Sequence, residues 1–188
     1  TREELIRKYG SFINKVTEGT GLLAGTVMAQ AIIESSGKDV DGQWKVGGSK
    51  LSREANNYFG IKAQKGDGWT GKVYNIDTGE YTPAGQYYVE KSSGFRSYPS
   101  VEDSIKDHLR FLQVNPRYKK AGVFEAKTVK AQGEALQKAG YATALNYAST
   151  IETVYNGVKG VLGVGVEFVK KNPIKVGVAV ALALGLLI

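Results

Sequence analysis

The sequence predicts a mostly helical α+β fold with one small β-hairpin, and three observations carry that prediction. Apolar residues recur at helical spacing in several segments on either side of residues 72–91. Within Lys72–Lys91 the composition switches to β-type residues around a Pro-Ala-Gly break. Capping and stopping residues (Thr1/Glu4, Ser100/Asp103, Asn115-Pro116, Gly140) punctuate the helical segments where helices start and end.

The chain opens with Leu5, Ile6, Tyr9, Phe12, Ile13 and Val16 at helical spacing behind a Thr1/Glu4 capping box, an amphipathic helix whose aromatics belong to a core. Gly19 to Gly21 ends it, and Leu22–Glu34 reads as a second, buried helix. Ser35–Gly48 is a polar connection with Trp44 as its one aromatic residue, and Leu51–Asn57 is a short helix leading into an Asn-Tyr-Phe-Gly turn. In the β-type stretch, Val73, Tyr74, Ile76 and Tyr81 form one strand and Tyr87, Tyr88 and Val89 the other, joined at Pro83-Ala84-Gly85. Ser100-x-x-Asp103 starts a helix with Ile105, Leu109 and Leu112 on one face; His108 falls in its charged segment and is expected at the surface. A further helix is predicted over Glu125–Ala139, and a last one from near Ala144.

Residues 155–188 differ from the 1–154 domain before them. Gly157, Gly160, Gly163 and Gly165 interrupt a Val/Leu-rich stretch, Pro173 separates it from the apolar run Val176–Ile188, and the whole of 155–188 is expected as a pair of short helices. That run spans only about 20 Å as a helix, short of the roughly 30 Å of a hydrocarbon core. Preceded by Lys170, Lys171 and Lys175, it is expected to be an interaction segment for a membrane surface or for other subunits of an assembly. The charged start Thr1-Arg2-Glu3-Glu4 shows no apolar signal sequence, which leaves removal of one, a flagellar secretion route or packaging in a virion.

Lys and Arg outnumber Asp and Glu, for a net charge of +7. This suits a polyanionic partner such as a cell wall or anionic lipid; without a Lys/Arg block, nucleic acid is not expected. There is no cysteine and a single histidine, His108, so a thiolate site, a zinc site or a Ser-His-Asp triad lacks material. Val46-Gly47-Gly48 lacks the Gly-Lys-Ser/Thr ending of a nucleotide cradle, and neither metal nor cofactor is expected.

One carboxylate stands out. From Leu22 to Ile33 there is no charged residue, and Glu34 ends the run. Desolvation and the negative end of the helix dipole both raise such a pKa, as a general acid near neutral pH requires. A surface glutamate at a helix end is the plainer alternative on this segment alone.

Beyond that segment, Glu34-Ser35, Ser49–Ala63 with its Asn56-Asn57-Tyr58-Phe59-Gly60, Trp69-Thr70-Gly71 and Thr78-Gly79-Glu80-Tyr81 follow in order. Phe95-Arg96-Ser97-Tyr98, Asn115-Pro116-Arg117-Tyr118, Gly140-Tyr141-Ala142-Thr143 and Asn146-Tyr147-Ala148 complete the series. Together they resemble the N-acetylglucosaminidases of glycoside hydrolase family 73, which include flagellar rod-cap hydrolases and autolysins. The resemblance covers most of residues 15–150. It implies a lysozyme-like fold with a small hairpin lobe, and an endo-acting β-N-acetylglucosaminidase working on peptidoglycan in the wall, periplasm or outside the cell. A muramidase or lytic transglycosylase, or a non-catalytic wall-binding or membrane-interacting assembly module, are the alternatives. The owner stays open among flagellum, autolysin and phage tail, with the apolar tail favouring a virion-associated protein.

The same resemblance assigns catalytic roles. Glu34 would be the acid, Glu80 on the hairpin a water-activating base or an orienting group beside the substrate's own N-acetyl nucleophile, and Tyr147 a group close to the acid. Asn57, Tyr58 and Phe59 are expected at the cleft floor, with a core role favoured for Phe59. Trp69 would line the cleft or cap the hairpin. Tyr118 and Tyr141 are added as substrate-binding residues. Arg96 and Tyr98 are expected to brace the hairpin.

Overall fold

The structure, a computed structural model, describes residues 1–81, 86–142 and 144–171, with side chains described except at 80, 81 and 161–171. Its helices pack around one apolar core and carry an antiparallel hairpin as a separate lobe. The first helix, α1 (Arg2–Thr17), has the predicted reciprocal cap between Thr1 and Glu4 and buries Leu5, Ile6, Tyr9 and Ile13. Helix α2 (Ala24–Ser35) packs against α1, α6 (Val129–Lys138) and α7 (Tyr147–Lys171), and buries every residue from Thr26 to Ile32. That enclosure explains its lack of charge: a helix covered on nearly all faces has no side on which an ion stays solvated.

The start of α2 has no side-chain cap of its own. Buried Gln132 of α6 supplies one from a distance, accepting from Leu23 N at 2.9 Å and donating to the carbonyls of Gly21 and Val123 at 3.0 and 2.8 Å. Gly21 itself sits at φ +81°, where a Cβ would come within 2.6 Å of the Phe124 carbonyl oxygen. Gly25 lets α2 and α7 approach closely, since a Cβ there would lie 2.5 Å from the Tyr155 ring.

The connection after α2 folds into a short ribbon, β1 (Gly37–Lys38) paired with β2 (Trp44–Lys45), and α3 (Lys50–Ala55) follows behind its Ser49 cap. Ser35 anchors all of this: its Oγ accepts from Gly47 N at 3.0 Å, and its carbonyl accepts from Ser49 N at 3.1 Å and Ser52 Oγ at 3.2 Å.

The hairpin is β3 (Lys72–Tyr81) against β4 (Tyr87–Ser97), in register from Lys72↔Ser97 to Tyr81↔Tyr87. The turn expected at Pro83-Ala84-Gly85 lies outside the described residues. A bulge sets Lys91 and Ser92 opposite Asp77, with Ser92 at φ +53°, and the Asp77 carboxylate closes it by accepting from Ser92 N at 2.9 Å and Lys91 Nζ at 2.8 Å. At the base, Arg96 donates to Asp67 at 2.9 Å and to Asp107 at 2.8 Å, and Tyr98 Oη donates to Asp107 at 2.7 Å. These are the braces expected of both residues.

Helix α4 (Val101–Val114) starts at the Ser100 cap, and Pro116 begins α5 (Pro116–Lys120), a turn of helix that the Asn-Pro stop signal concealed. Helix α6 begins at Val129 behind a Thr128 cap, four residues later than predicted, and α7 begins at Tyr147. Three differences matter more. His108 is fully buried, on the face of α4 that also buries Ile105 and Leu112, so its expected surface position is wrong. Of the pair of short helices expected over 155–188, the first is not separate, since α7 runs unbroken to Lys171 through Gly157, Gly160, Gly163 and Gly165, and the second lies outside the described residues. It also passes the 154/155 boundary without a break, with Ile151, Val154 and Val158 in one core. Pro173 and Val176–Ile188 lie outside the described residues. Among the described residues, no helix is long and apolar enough to cross a membrane.

Candidate active site

Glu34 occupies the last turn of α2, and Tyr147 is the first residue of α7. The close packing of the two helices sets Tyr147 Oη 3.5 Å from Glu34 Oε1, donating to it. The Glu34 carboxyl is largely withdrawn from water, and this desolvation lifts its pKa to about 7, against which the Tyr147 hydrogen bond pulls only partly. The carboxylic acid is therefore about half protonated at neutral pH. The same burial, together with the Glu34 charge, raises the Tyr147 pKa well above that of a free tyrosine and keeps its hydroxyl a donor.

Behind this pair stands a buried polar chain. Gln30 lies one helical turn before Glu34 on the same face of α2. Its Nε2 donates to Tyr147 Oη at 3.1 Å, and its Oε1 faces His108 Nε2 at 3.1 Å. An amide that donates to the tyrosine must accept from the histidine, so His108 carries its proton on Nε2. Burial drives the His108 pKa down to about 3, which keeps the ring neutral. The ring stacks on Phe59 at 3.9 Å with 3° between the planes. The donor sequence runs His108 to Gln30 to Tyr147 to Glu34, and every link comes from a different element or turn.

In front of the pair is a cleft of about 420 Å³, lined by Glu34, Phe59, Ile61, Lys62, Phe111, Arg117, Tyr118, Tyr141 and Ala142. Tyr141 packs 5.7 Å from both Tyr147 and His108 and 6.3 Å from Tyr118, measured between ring centroids. Its hydroxyl is buried and has no hydrogen-bond partner in the protein. Glu34, Phe59, Tyr118, Tyr141 and Tyr147 are thus brought together at this cleft, with Phe59, Tyr118 and Tyr147 buried in or behind its wall.

Other predicted site residues do not line this cleft. Asn57 was expected at the cleft floor, yet its amide is spent on backbone. Nδ2 donates to the carbonyls of Ile61 (2.9 Å) and Arg96 (2.8 Å), while Oδ1 accepts from Ile61 N (3.1 Å). It holds the turn that presents Phe59 and Ile61, and has no amide group to offer a sugar. Tyr58 turns toward α1, edge-on to Tyr9 at 6.4 Å. Trp69 sits at the hairpin base, donating to the Lys72 carbonyl at 3.1 Å beneath the Arg96 guanidinium. It is the hairpin cap of the two alternatives. The Glu80 backbone is in β3 opposite Tyr88, on the tip side of the bulge; its side chain lies outside the described residues.

Gln30 went unnoticed by sequence reasoning, and His108 was expected at the surface rather than beside the site. A signal existed for each: Gln30 is the one amide in the charge-free run, and His108 falls at helical spacing between Ile105 and Leu112.

Residues 10–160 match the family described as glucosaminidase, mannosyl-glycoprotein endo-beta-N-acetylglucosaminidase. The chain is similar to the peptidoglycan hydrolase FlgJ of Pseudomonas aeruginosa, 35% identical over 153 residues, 81% of this chain and 36% of that protein. It thus spans only about a third of that relative's length. Among solved structures it resembles a peptidoglycan hydrolase mutant of Sphingomonas sp. A1 (TM-score 0.65, 30% identity, covering 88% of this chain and 98% of that one). The catalytic domain of the autolysin Auto from Listeria monocytogenes is similar too, with TM-score 0.66, 28% identity and 83% of each chain covered.

Proposed function

The chain belongs to the glucosaminidase family of glycoside hydrolases, family 73, and on that premise we propose that it cleaves peptidoglycan glycan strands as an endo-acting β-N-acetylglucosaminidase. The observation that carries the reading is the desolvated Glu34 carboxyl, with a pKa of about 7, on the wall of a sugar-sized cleft. In this mechanism Glu34 donates its proton to the glycosidic oxygen as the bond to C1 breaks. Tyr147, already donating to Glu34, stabilises the carboxylate that forms. The hairpin carboxylate Glu80 takes a proton from the water that attacks C1, which inverts the anomeric centre. Half-buried Tyr141 is the ring placed to meet a sugar, and buried Phe59 and Tyr118 shape the cleft wall beside it. The substrate is carried over from relatives named as peptidoglycan hydrolases, and the net charge of +7 suits an anionic wall. On composition alone, Val176–Ile188 is assigned to attachment, to a lipid surface or to neighbouring subunits such as those of a phage tail.

Digestion of purified peptidoglycan, followed by mass spectrometry of the new ends, tests this. Internal cuts leaving reducing N-acetylglucosamine are the expected result. Reducing N-acetylmuramic ends would make the protein a muramidase, anhydro ends a lytic transglycosylase, and single sugars released from chain ends an exo-enzyme. Binding without any cut would leave a wall-binding module.

A further inference from the structure

A second cavity, of about 470 Å³, adjoins the Glu34 cleft, and Lys62, Phe111 and Arg117 line both. We propose that this side cavity binds the carboxylates of the peptide stem carried by the muramyl residue next to the scissile bond, with Arg110 and Arg117 as the recognising cations. The inference rests on the reading of the substrate as peptidoglycan.

The charges in the cavity lining decide the class of ligand. Its two acids, Asp67 and Asp107, are already committed. Both accept from Arg96, Asp107 also accepts from Tyr98, and Asp67 also accepts from the backbone of Gln64 and Trp69. Lys62 pairs with Glu90 at 2.6 Å. Arg110 and Arg117 are both exposed, and no carboxylate of the described residues lies within ion-pair distance of either. Arg117 gives one N–H to Tyr118 Oη at 2.6 Å and lies over the Tyr118 ring, 4.7 Å from its centroid, which fixes the guanidinium plane. A guanidinium has five N–H donors in a planar fork, so most of its capacity is left for a carboxylate.

Position decides the source of that carboxylate. Because Arg117, Lys62 and Phe111 line both hollows, a group that branches from a sugar seated beside Glu34 can reach the side cavity. In a peptidoglycan strand the acidic branch at that place is the lactyl-linked peptide. Phe111 and Val114 in the lining give its apolar side chains a surface as well. The cavity is far larger than one carboxylate needs, which fits a peptide better than a bare acid.

The test compares Arg110→Gln with wild type on three substrates: stem-bearing glycan strands, the same strands stripped of stems by an amidase, and chito-oligosaccharides. Arg110 lines the side cavity alone and is exposed, so the variant should fold with an unchanged melting temperature. A charge-assisted hydrogen bond of the usual strength predicts about a tenfold or greater loss of kcat/KM on stem-bearing strands. Rates on chito-oligosaccharides should stay within about twofold. Added salt should erode the wild-type preference for stems, and the Arg110→Gln rate should respond less. Equal loss on all three substrates, or none on stem-bearing strands, overturns the proposal. Equal effects on stripped and intact strands would move the recognised group to the lactyl carboxylate and would also overturn it. If wild type cuts none of the three, the glycosidase reading falls by itself. Titration of a soluble stem-bearing disaccharide into Glu34→Gln, with and without Arg110→Gln, then still decides whether the cavity binds the stem.

Discussion

Glu34 reaches the cleft from a helix enclosed on nearly every face, whereas Glu80 stands on a strand whose pairing partners Tyr87, Tyr88 and Val89 are exposed. The first carboxyl is held by non-local packing: α7 brings Tyr147, α4 brings His108, and Gln30 joins them. The hairpin is anchored at its base by Arg96, Asp67, Asp107 and Tyr98, and beyond the Asp77 bulge β4 is largely solvated. The difference suits the two roles proposed for them. A general acid must be desolvated to keep its proton near neutrality, so it belongs in a rigid, buried frame. A group that activates water must stay ionised and meet the substrate from the open side, so an arm braced at one end is enough.

The sharpest way to break this contrast is Glu34→Gln. It should cost at least about 10²–10⁴-fold in activity while leaving the fold intact, and near-full activity would remove Glu34 from the chemistry. Wild-type kcat/KM should fall on the alkaline side of about pH 7. Stability gives an independent reading. The folded pKa of about 7 lies above the ordinary 4.5, so the folded state holds the extra proton. That contribution is fully present below about pH 4.5 and is lost as pH rises through 7, a change of up to about 3 kcal/mol. Chemical denaturation at pH 5 and pH 8 should show the loss in wild type and a much smaller one in Glu34→Gln.

Changing the hairpin carboxylate tests the other half. Glu80→Gln should lower kcat by about a hundredfold with little change in melting temperature, and azide should restore turnover in Glu80→Ala. Inhibition by thiazoline mimics, with no azide rescue, would transfer the nucleophile's role to the substrate's N-acetyl group. Equal activity of Glu80→Ala and wild type would leave the hairpin without a chemical part.

A smaller effect separates positioning from simple packing on the helical side. Gln30→Met keeps the side-chain volume but breaks the link between His108 and Tyr147. The orphaned His108 N–H should cost about 1–3 kcal/mol of stability. If Gln30 orients Tyr147, the hydrogen bond that lowers the Glu34 pKa weakens, and the alkaline limb of the kcat/KM profile moves upward. Tyr147→Phe should move it the same way. A loss of activity with an unmoved limb would mean that the chain only fills space.

Much of this lobe contrast was legible in the residues. The charge-free run ending at Glu34, the Thr1 and Ser100 caps and the β-type stretch each depend on neighbours within a few positions, and each element formed where they lie. Helix α7 shows the limit of such local reasoning. Gly157 and Gly160 each cost about 1 kcal/mol of helix propensity, yet Ile151, Val154 and Val158 pack into the core at helical spacing and offset it.

By itself, then, the sequence determined the helix and hairpin order, the family and the carboxylate proposed as the acid, because periodicity, caps and an isolated carboxylate are properties of contiguous residues. Only the tertiary structure decided how polar side chains are spent. Asn57 went to backbone groups of Phe59, Ile61 and Arg96, His108 moved from a supposed surface to a stack on Phe59, and Arg96 took up both acids of the side cavity, so that Arg110 and Arg117 remain open to a ligand. A polar side chain's role depends on which distant groups complete its hydrogen bonds, and that is set when the segments pack.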